Sequence, residues 1–212
     1  VSNLTLTVNI IIFRLSEDAL QVLLGPEAEQ RWGLPEKTVG EREALEDAAR
    51  GAVLHSPQSN EIYLEQLYTY GEPGRIPAQR TVSVVYFALI PLDAPGKIPT
   101  GTVWQRLDEL PALAYDHAEM IAYALRRLRY KLEYSAVGFE LLPEEFTLSE
   151  IQHTYEIILG EKLDKRNFRR RILEAGIIET TPRRRNGDGR PAQLYRYRPD
   201  AVAEVKARRL FP

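Results

Sequence analysis

Five of the seven side chains from Lys165 to Arg171 are cationic, and Asn167 sits among them. Arginine offers a planar fork of N–H donors, and asparagine offers a donor and an acceptor side by side. Such a set can hydrogen-bond phosphates and the base edges of duplex nucleic acid. A second basic run, Arg183-Arg184-Arg185, lies downstream, and Arg190 follows it. The chemistry available is recognition of a polyanion, and it depends on which way these side chains face.

Local signals fix that direction. Asp164 is a good helix N-cap, Phe168 and Ile172 repeat at helical spacing with Ala175 behind them, and Gly176 suits a C-terminal stop. At roughly 100° per residue, Phe168, Ile172 and Ala175 share one face. Arg166, Asn167 and Arg170 lie opposite, with Lys165, Arg169 and Arg171 on the flanks. Ile177 to Thr181 reads as a strand, Arg183 to Pro191 as a basic loop around Asn186-Gly187-Asp188-Gly189, and Gln193 to Arg198 as a second strand. Upstream, Thr147-Leu148-Ser149-Glu150 has the capping-box pattern. Leu148, Ile151, Tyr155 and Ile158 then recur at helical spacing before Gly160-Glu161-Lys162-Leu163 turns the chain.

Helix, turn, helix, strand, basic turn, strand is the order of a winged helix-turn-helix. A charged helix by itself is usually only a solvated face. Here a helix-turn-helix, a cationic second helix and a cationic wing coincide, so double-stranded DNA is the expected partner. RNA is disfavoured, because side chains do not easily read the deep, narrow major groove of an A-form helix. The DNA-contacting set is Lys165, Arg166, Asn167, Arg169, Arg170, Arg183, Arg184, Arg185 and Arg190. His153, on the first helix of the motif, is either solvent-exposed or a phosphate contact.

The 212 residues are 44% hydrophobic and 27% charged, a globular composition with room for two domains. The net charge of −2 conceals an asymmetry. From Phe146 onward there are 15 Lys and Arg against 9 Asp and Glu, a balance of +6, while the rest carries 13 against 21, a balance of −8. The absence of cysteine excludes disulfides, thiol catalysis and cysteine-ligated metals, and fits a reducing cytoplasm. No apolar run reaches the ~18 residues of a membrane helix, and Val1-Ser2-Asn3-Leu4 lacks the charged-then-apolar order of a leader, so a cytoplasmic protein is expected.

The N-terminal part reads as α+β. Leu4 to Phe13 and Ala19 to Leu24 are apolar runs suited to two paired strands, with a polar turn at Ser16-Glu17-Asp18. Glu43 to Leu54 carries a helical stripe of Leu45, Ala48, Ala49 and Val53. Glu61 to Tyr70 and Arg80 to Ile90 read as strands, and Thr102 to Arg106 as a short one. Asp116 to Tyr134 reads as a long amphipathic helix, with Ile121, Leu125, Leu128 and Leu132 on one face. Asp116 stands at its N-cap position, so Asp116-His117 is expected to be structural rather than an acid–base pair.

Trp32-Gly33-Leu34-Pro35, followed by Glu43-Ala44-Leu45-Glu46-Asp47-Ala48-Ala49, resembles the Nudix hydrolase box. The stretch Tyr63 to Arg75 resembles the segment after that box in ADP-ribose-type Nudix proteins. In the box, helix carboxylates hold divalent cations that neutralise a diphosphate and activate water. Glu43 survives. The box's Gly-Gly is Glu36-Lys37 here, its Arg-Glu is Gly51-Ala52, its Glu-Glu is His55-Ser56 and its last glycine is Gln58. No carboxylate lies from Arg50 to Gln58 in any frame, so no catalytic residue, metal ligand or cofactor is assigned, and a Nudix fold without hydrolase activity is expected. His55 alone reads as a surface residue.

A degenerate Nudix domain fused to a winged helix resembles the Nudix-related transcriptional regulator family NrtR. The likeness extends to Tyr115-Asp116-His117, to Phe146 through His153, to Phe168-Arg169-Arg170-Arg171 and to Gly189-Arg190-Pro191-Ala192. It implies an α+β chain with a Nudix-like mixed-sheet α/β/α domain over residues 1–140, for effector sensing and dimerisation, and a winged helix-turn-helix over 141–212. It further implies a homodimeric repressor of NAD-metabolism genes, bound to a palindromic operator and sensing ADP-ribose or a related ligand. Tyr68, Tyr70, Arg75 and Arg80 are the effector-site candidates, arginine being suited to pyrophosphate. Alternatively the tyrosines pack in the sheet and the arginines are solvated. Glu36 adds bulk and negative charge near where phosphates would lie. Three other readings stand beside this one: an active hydrolase of ADP-ribose-like substrates with an accessory DNA-binding domain, a regulator of sugar catabolism sensing a sugar, and a DNA-binding protein with no ligand.

Overall fold

The computed structural model describes residues 4–16, 18–27, 30–53, 62–77, 79–91, 93–94, 98–186 and 191–201. Its contacts divide the chain into two compact units, one of residues 1–90 and 94–124, the other of 91–93 and 125–212.

The first unit is built on β1 (Thr5–Leu15), β2 (Leu20–Pro26), β3 (Trp32–Gly33), β4 (Glu36–Thr38), α1 (Leu45–Val53), β5 (Tyr63–Tyr70), β6 (Thr81–Ile90) and β7 (Val103–Arg106). The two apolar runs pair as expected, β1 antiparallel to β2 with Phe13 opposite Val22. β1 also lies parallel to β6, and β6 pairs antiparallel with β5, so the sheet is mixed and runs β3-β2-β1-β6-β5, with β4 on β1 and β7 on β2. β1 and β6 are buried on both faces, which is why both read as continuous apolar runs rather than as alternations. On one face the small, fully buried Ala48 and Ala49 let α1 approach Val8, Ile10, Ile12, Val84 and Ala88.

A β-bulge decides the other face. Tyr63 and Glu65 lie opposite Leu89 and Phe87, but the register shifts between Gln66 and Tyr68, so that Tyr68 and Tyr70 oppose Val85 and Ser83. The extra residue turns both tyrosines to the same side as Tyr63. There Tyr68 meets Tyr123 of α2 (His117–Leu132), ring centroids 5.8 Å apart.

The second unit contains residues 125–132 of α2, then α3 (Leu148–Leu159), α4 (Lys165–Glu174), β8 (Ile178–Arg185) and β9 (Ala192–Tyr197). The capping box is complete: the Glu150 N–H donates to Thr147 Oγ1 at 3.1 Å, and the Thr147 N–H donates to Glu150 Oε2 at 2.7 Å. Gly160 ends α3 in the left-handed region, φ 77°. The turn that follows is pinned from α3, since Glu156 Oε1 accepts the Leu163 N–H at 3.0 Å and Gln152 Nε2 donates to the Leu163 carbonyl at 3.1 Å. Asp164 then caps α4 by accepting the Asn167 N–H at 2.7 Å. Phe168 and Ile172 are buried, with the Phe168 ring 5.6 Å from that of Tyr155 on α3, and Gly176 stops the helix at φ 66°.

One detail differs from expectation. Arg183, Arg184 and Arg185 belong to strand β8, not to the loop. β8 continues past Pro182 because its pairing with β9 shifts register between Thr180 and Arg184, which leaves Pro182, with no N–H to give, outside the ladder. A third short segment joins this sheet through Phe146, whose N–H and carbonyl exchange hydrogen bonds with Tyr195 at 2.9 and 2.7 Å. A helix-turn-helix followed by two wing strands, with the segment before it completing their sheet, is the winged-helix arrangement. His55, Ser56, Gln58 and Arg190 lie outside the described residues.

Packing under the wing is tight at Gly138, where a Cβ would come within 2.9 Å of both Leu132 Cδ2 and Tyr155 Cε2. Gly138→Ala is expected to destabilise the second unit by roughly 1–3 kcal/mol through overpacking. Urea unfolding followed by circular dichroism measures this, and an unchanged midpoint would contradict the packing described.

Candidate functional site

Burying Phe168 and Ile172 leaves the rest of α4 facing outward. Lys165, Arg166, Asn167 and Arg170 are exposed, while Arg169 and Arg171 are half-buried on the flanks. Arg170 donates through Nη2 to Asn167 Oδ1 at 2.9 Å, so the two residues form one polar unit. Arg169 is tied back by Nη2 to Ser149 Oγ at 3.0 Å, at the start of α3. The structure thus brings Arg166, Asn167 and Arg170 together as a forked donor surface and gives Arg169 a framework bond.

The wing arginines are not equivalent. Arg185 pairs with Glu150 and also donates Nη2 to the Glu145 carbonyl at 3.2 Å, while Arg183 Nη1 lies 3.4 Å from Glu145 Oε2. Arg184, the residue between them, is exposed. Sequence reasoning placed all three on DNA and missed the acidic partners. The available signal was Glu150 itself, because a capping-box carboxylate occupies one oxygen on the helix and leaves the other to accept.

In the first unit, Tyr68, Tyr70 and Arg75 come together. The Tyr68 and Tyr70 rings meet edge-on at 5.4 Å, and the Arg75 guanidinium carbon lies 6.0 Å from the Tyr70 ring centre. Tyr68 is 57% exposed, whereas the Tyr70 hydroxyl is partly buried and its pKa is pushed up to about 12, by burial first and then by Glu119 and Asp116. Arg75, its side chain only 5% exposed, grips Asp116 with both arms, Nε to Oδ2 at 2.7 Å and Nη2 to Oδ1 at 2.6 Å. Its third arm donates to Ser83 Oγ at 2.9 Å, and Ser83 in turn meets Thr7 Oγ1 at 2.9 Å. The fork that suited a pyrophosphate is therefore occupied inside the unit. Arg80 is exposed and donates Nη1 to the Gly71 carbonyl at 2.7 Å, which stiffens the loop between β5 and β6.

His117 is 1% exposed, and its Nδ1 accepts the Leu34 N–H at 3.1 Å. The acceptor role at Nδ1 places the proton of the neutral ring on Nε2, which is buried and has no partner among the described residues. Burial lowers the His117 pKa, with Asp116 and Glu27 acting in the opposite sense. The pair Asp116-His117 is thus structural, each member anchoring the start of α2 to a different segment.

At the degenerate box, Lys37 Nζ bonds Glu43 Oε1 at 2.5 Å, and the Gly40 N–H donates to Glu43 Oε2 at 3.1 Å. These contacts hold the Glu43 carboxyl below the usual range, the lysine contributing most. A Cβ on Gly51 would lie 3.5 Å from Lys37 Nζ. Lys37, on β4, thus places a cation beside both Glu43 and the glycine at position 51. Among the described residues, no three His, Cys, Asp or Glu side chains gather to hold a metal, and no helix is long and apolar enough to cross a membrane.

Comparison with known proteins places these features. A family model described as the NrtR DNA-binding winged helix domain matches residues 138–197. A relative from Acinetobacter baylyi, the "ADPR responsive transcriptional repressor NtrR", is 36% identical over 203 residues, 91% of this chain and 81% of the relative. Shewanella oneidensis NrtR complexed with a 27mer DNA matches with a TM-score of 0.80 at 33% identity, over 96% of each chain. A MutT/nudix family protein from Enterococcus faecalis matches with a TM-score of 0.74 at 23% identity, over 93% of this chain and 88% of its own, a likeness of fold.

Two outcomes follow from the first unit. Arg75→Ala strands the largely buried Asp116 carboxylate and should cost roughly 3–5 kcal/mol of stability, whereas Arg80→Ala at the surface should stay within about 0.5 kcal/mol; thermal unfolding separates them. For His117 the folded-state pKa lies below the unfolded one, so its contribution to stability is present above about pH 6.5 and lost as the pH falls through the depressed value. Melting temperature should therefore drop between about pH 7 and 5, and His117→Asn, which can still accept the Leu34 N–H, should flatten that drop.

Proposed function

This chain belongs to the NrtR family of Nudix-related transcriptional regulators, and from that premise we propose that it is a DNA-binding repressor with a ligand-sensing, non-hydrolytic Nudix-like domain. The observation that carries the reading is the rotation of α4: its apolar face is buried, and Arg166, Asn167 and Arg170 are presented outward. Arginine is a bidentate partner for guanine and asparagine for adenine in the major groove. Lys165, Arg169 and the wing supply backbone contacts.

The division of labour proposed is by residue range: 1–140 for sensing and dimerisation, 141–212 for DNA. Two copies would set two α4 helices in successive major grooves of a palindromic operator in the cytoplasm. The A. baylyi relative is named for its response to ADPR, which supports ADP-ribose or a related nucleotide as effector and NAD-metabolism genes as targets. Tyr68, Tyr70 and Tyr123 offer rings for a base or sugar, and Arg80 is the arginine best exposed for a phosphate. Arg75 serves as their support. A ligand acts on DNA affinity only so far as it binds two arrangements of the dimer unequally.

A regulator needs no bond cleavage, and the Lys37–Glu43 pair supports its absence, since an ammonium neutralises the one retained box carboxylate. With magnesium and ADP-ribose, the protein should release no AMP above the rate of a Glu43→Gln variant; turnover that Glu43→Gln abolishes would overturn the non-enzymatic reading. For DNA, anisotropy titrations on the region upstream of its own gene, competed with random-sequence duplex, should show specific binding. Replacing Arg166 and Arg170 by alanine should weaken it by about 1–3 kcal/mol for each lost bidentate contact. Specific affinity unaffected by the double replacement would sink the assignment of α4 as the reading helix.

A further inference from the structure

The wing carries three consecutive arginines, and the fold treats them differently. Arg184 and Arg185 pair regularly with Gln193 and Ala192 and so point to opposite sides, while Arg183, in the irregular stretch after Thr180, turns to the same acidic segment as Arg185. On the Arg185 side, Glu145, ahead of α3, and Glu150, in its first turn, supply carboxylates. Arg185 meets Glu150 and the Glu145 carbonyl, and Arg183 meets the Glu145 carboxylate at 3.4 Å. Glu150 is fixed in place, because its other oxygen accepts the Thr147 N–H at 2.7 Å in the capping box. Among the described residues, Arg184 has no carboxylate partner.

We propose that Glu145 and Glu150 withhold Arg183 and Arg185 from DNA phosphates, leaving Arg184 as the wing arginine of β8 that binds the duplex backbone. This rests on the DNA-binding reading above and adds which wing cations act in it. To reach a phosphate, Arg185 must leave a carboxylate already anchored on α3, or carry that negative charge toward the DNA. An exposed ion pair is weak in the protein alone, but it competes one for one with a phosphate contact, and contacts are what the salt dependence of binding counts. Each neutralised phosphate contributes about 0.9 to the slope of log affinity against log salt.

The test needs no operator, because the backbone term is independent of sequence. Binding of a fluorescent random-sequence DNA duplex is titrated across a series of salt concentrations. Glu150→Gln is a suitable probe, since glutamine also closes a capping box but carries no charge, and an unchanged melting temperature confirms that it folds. Relative to wild type, the Glu145→Gln/Glu150→Gln protein should bind more tightly at low salt, with a slope steeper by about 1 to 2. Adding Arg183→Ala and Arg185→Ala to that background should return the slope to the wild-type value. Arg184→Ala alone should make the wild-type slope shallower by about 1, and Arg183→Ala/Arg185→Ala alone should leave it unchanged.

A Glu145→Gln/Glu150→Gln protein with wild-type slope and affinity, or with weaker binding at unchanged melting temperature, would overturn the proposal, because the arginines would then reach DNA with their carboxylates attached or positioned by them. Failure of the wild type to bind any duplex would overturn the DNA-binding reading, and this inference with it. Retention of salt-dependent wild-type binding tells the two failures apart.

Discussion

The structure of the reading head depends on one burial: Phe168 and Ile172 of α4 turned inward, Phe168 against Tyr155 of α3. A helix has only its rotation about its own axis to decide what it shows to solvent, and two large apolar side chains one turn apart leave little choice. Everything polar about α4 follows from that rotation. Around it the fold adds constraints that stop the helix from sliding: a left-handed glycine at 160, a turn bonded to Gln152 and Glu156, and the Asp164 cap. A helix that presents donors at fixed spacing needs such a rigid frame.

Arginines of the same type carry out different work in this chain, and their acidic neighbours decide which. Arg75 is sealed in a bidentate pair with Asp116 and holds the start of α2 to the loop after β5. Arg185 sits on Glu150 at the surface, where water screens the pair and its worth to folding is small. The first arginine is part of the architecture, because stranding a buried charge is costly. The second is a matter of competition with an external anion, because Glu150 already occupies the guanidinium that a phosphate would need.

In the Nudix-like unit, packing and charge are carried by different residues. The sheet, the approach of α1 through Ala48 and Ala49, and the Glu43 carboxylate are all retained. The cation beside Glu43 now comes from Lys37 on β4, while position 51 on the helix is glycine. Lys37 and Glu43 thus balance each other's charge at the start of α1.

Much of this was legible in the sequence, wherever the deciding contacts are close along the chain. The capping box at Thr147 and Glu150, the Asp164 cap, the glycine stops at 160 and 176 and the amphipathic faces of α2, α3 and α4 depend on residues within a turn or two of one another, and the residue pattern states them directly. The two pairs that reassign the candidate arginines do not. Arg75 meets Asp116 across 41 residues and Arg185 meets Glu150 across 35, and only the packing of separate elements brings them together. The same holds for the bulge between Gln66 and Tyr68 and the register shift that carries β8 past Pro182. The one-residue slip in β5 reverses every side chain beyond it, and register is settled by the partner strand, not by the strand's own pattern. The sequence by itself therefore determined the helix-turn-helix, the outward face of α4 and the absence of carboxylates from Arg50 to Gln58. Tertiary structure alone decided which arginines still face outward to meet an anion, because that depends on which carboxylates the fold has already brought beside them.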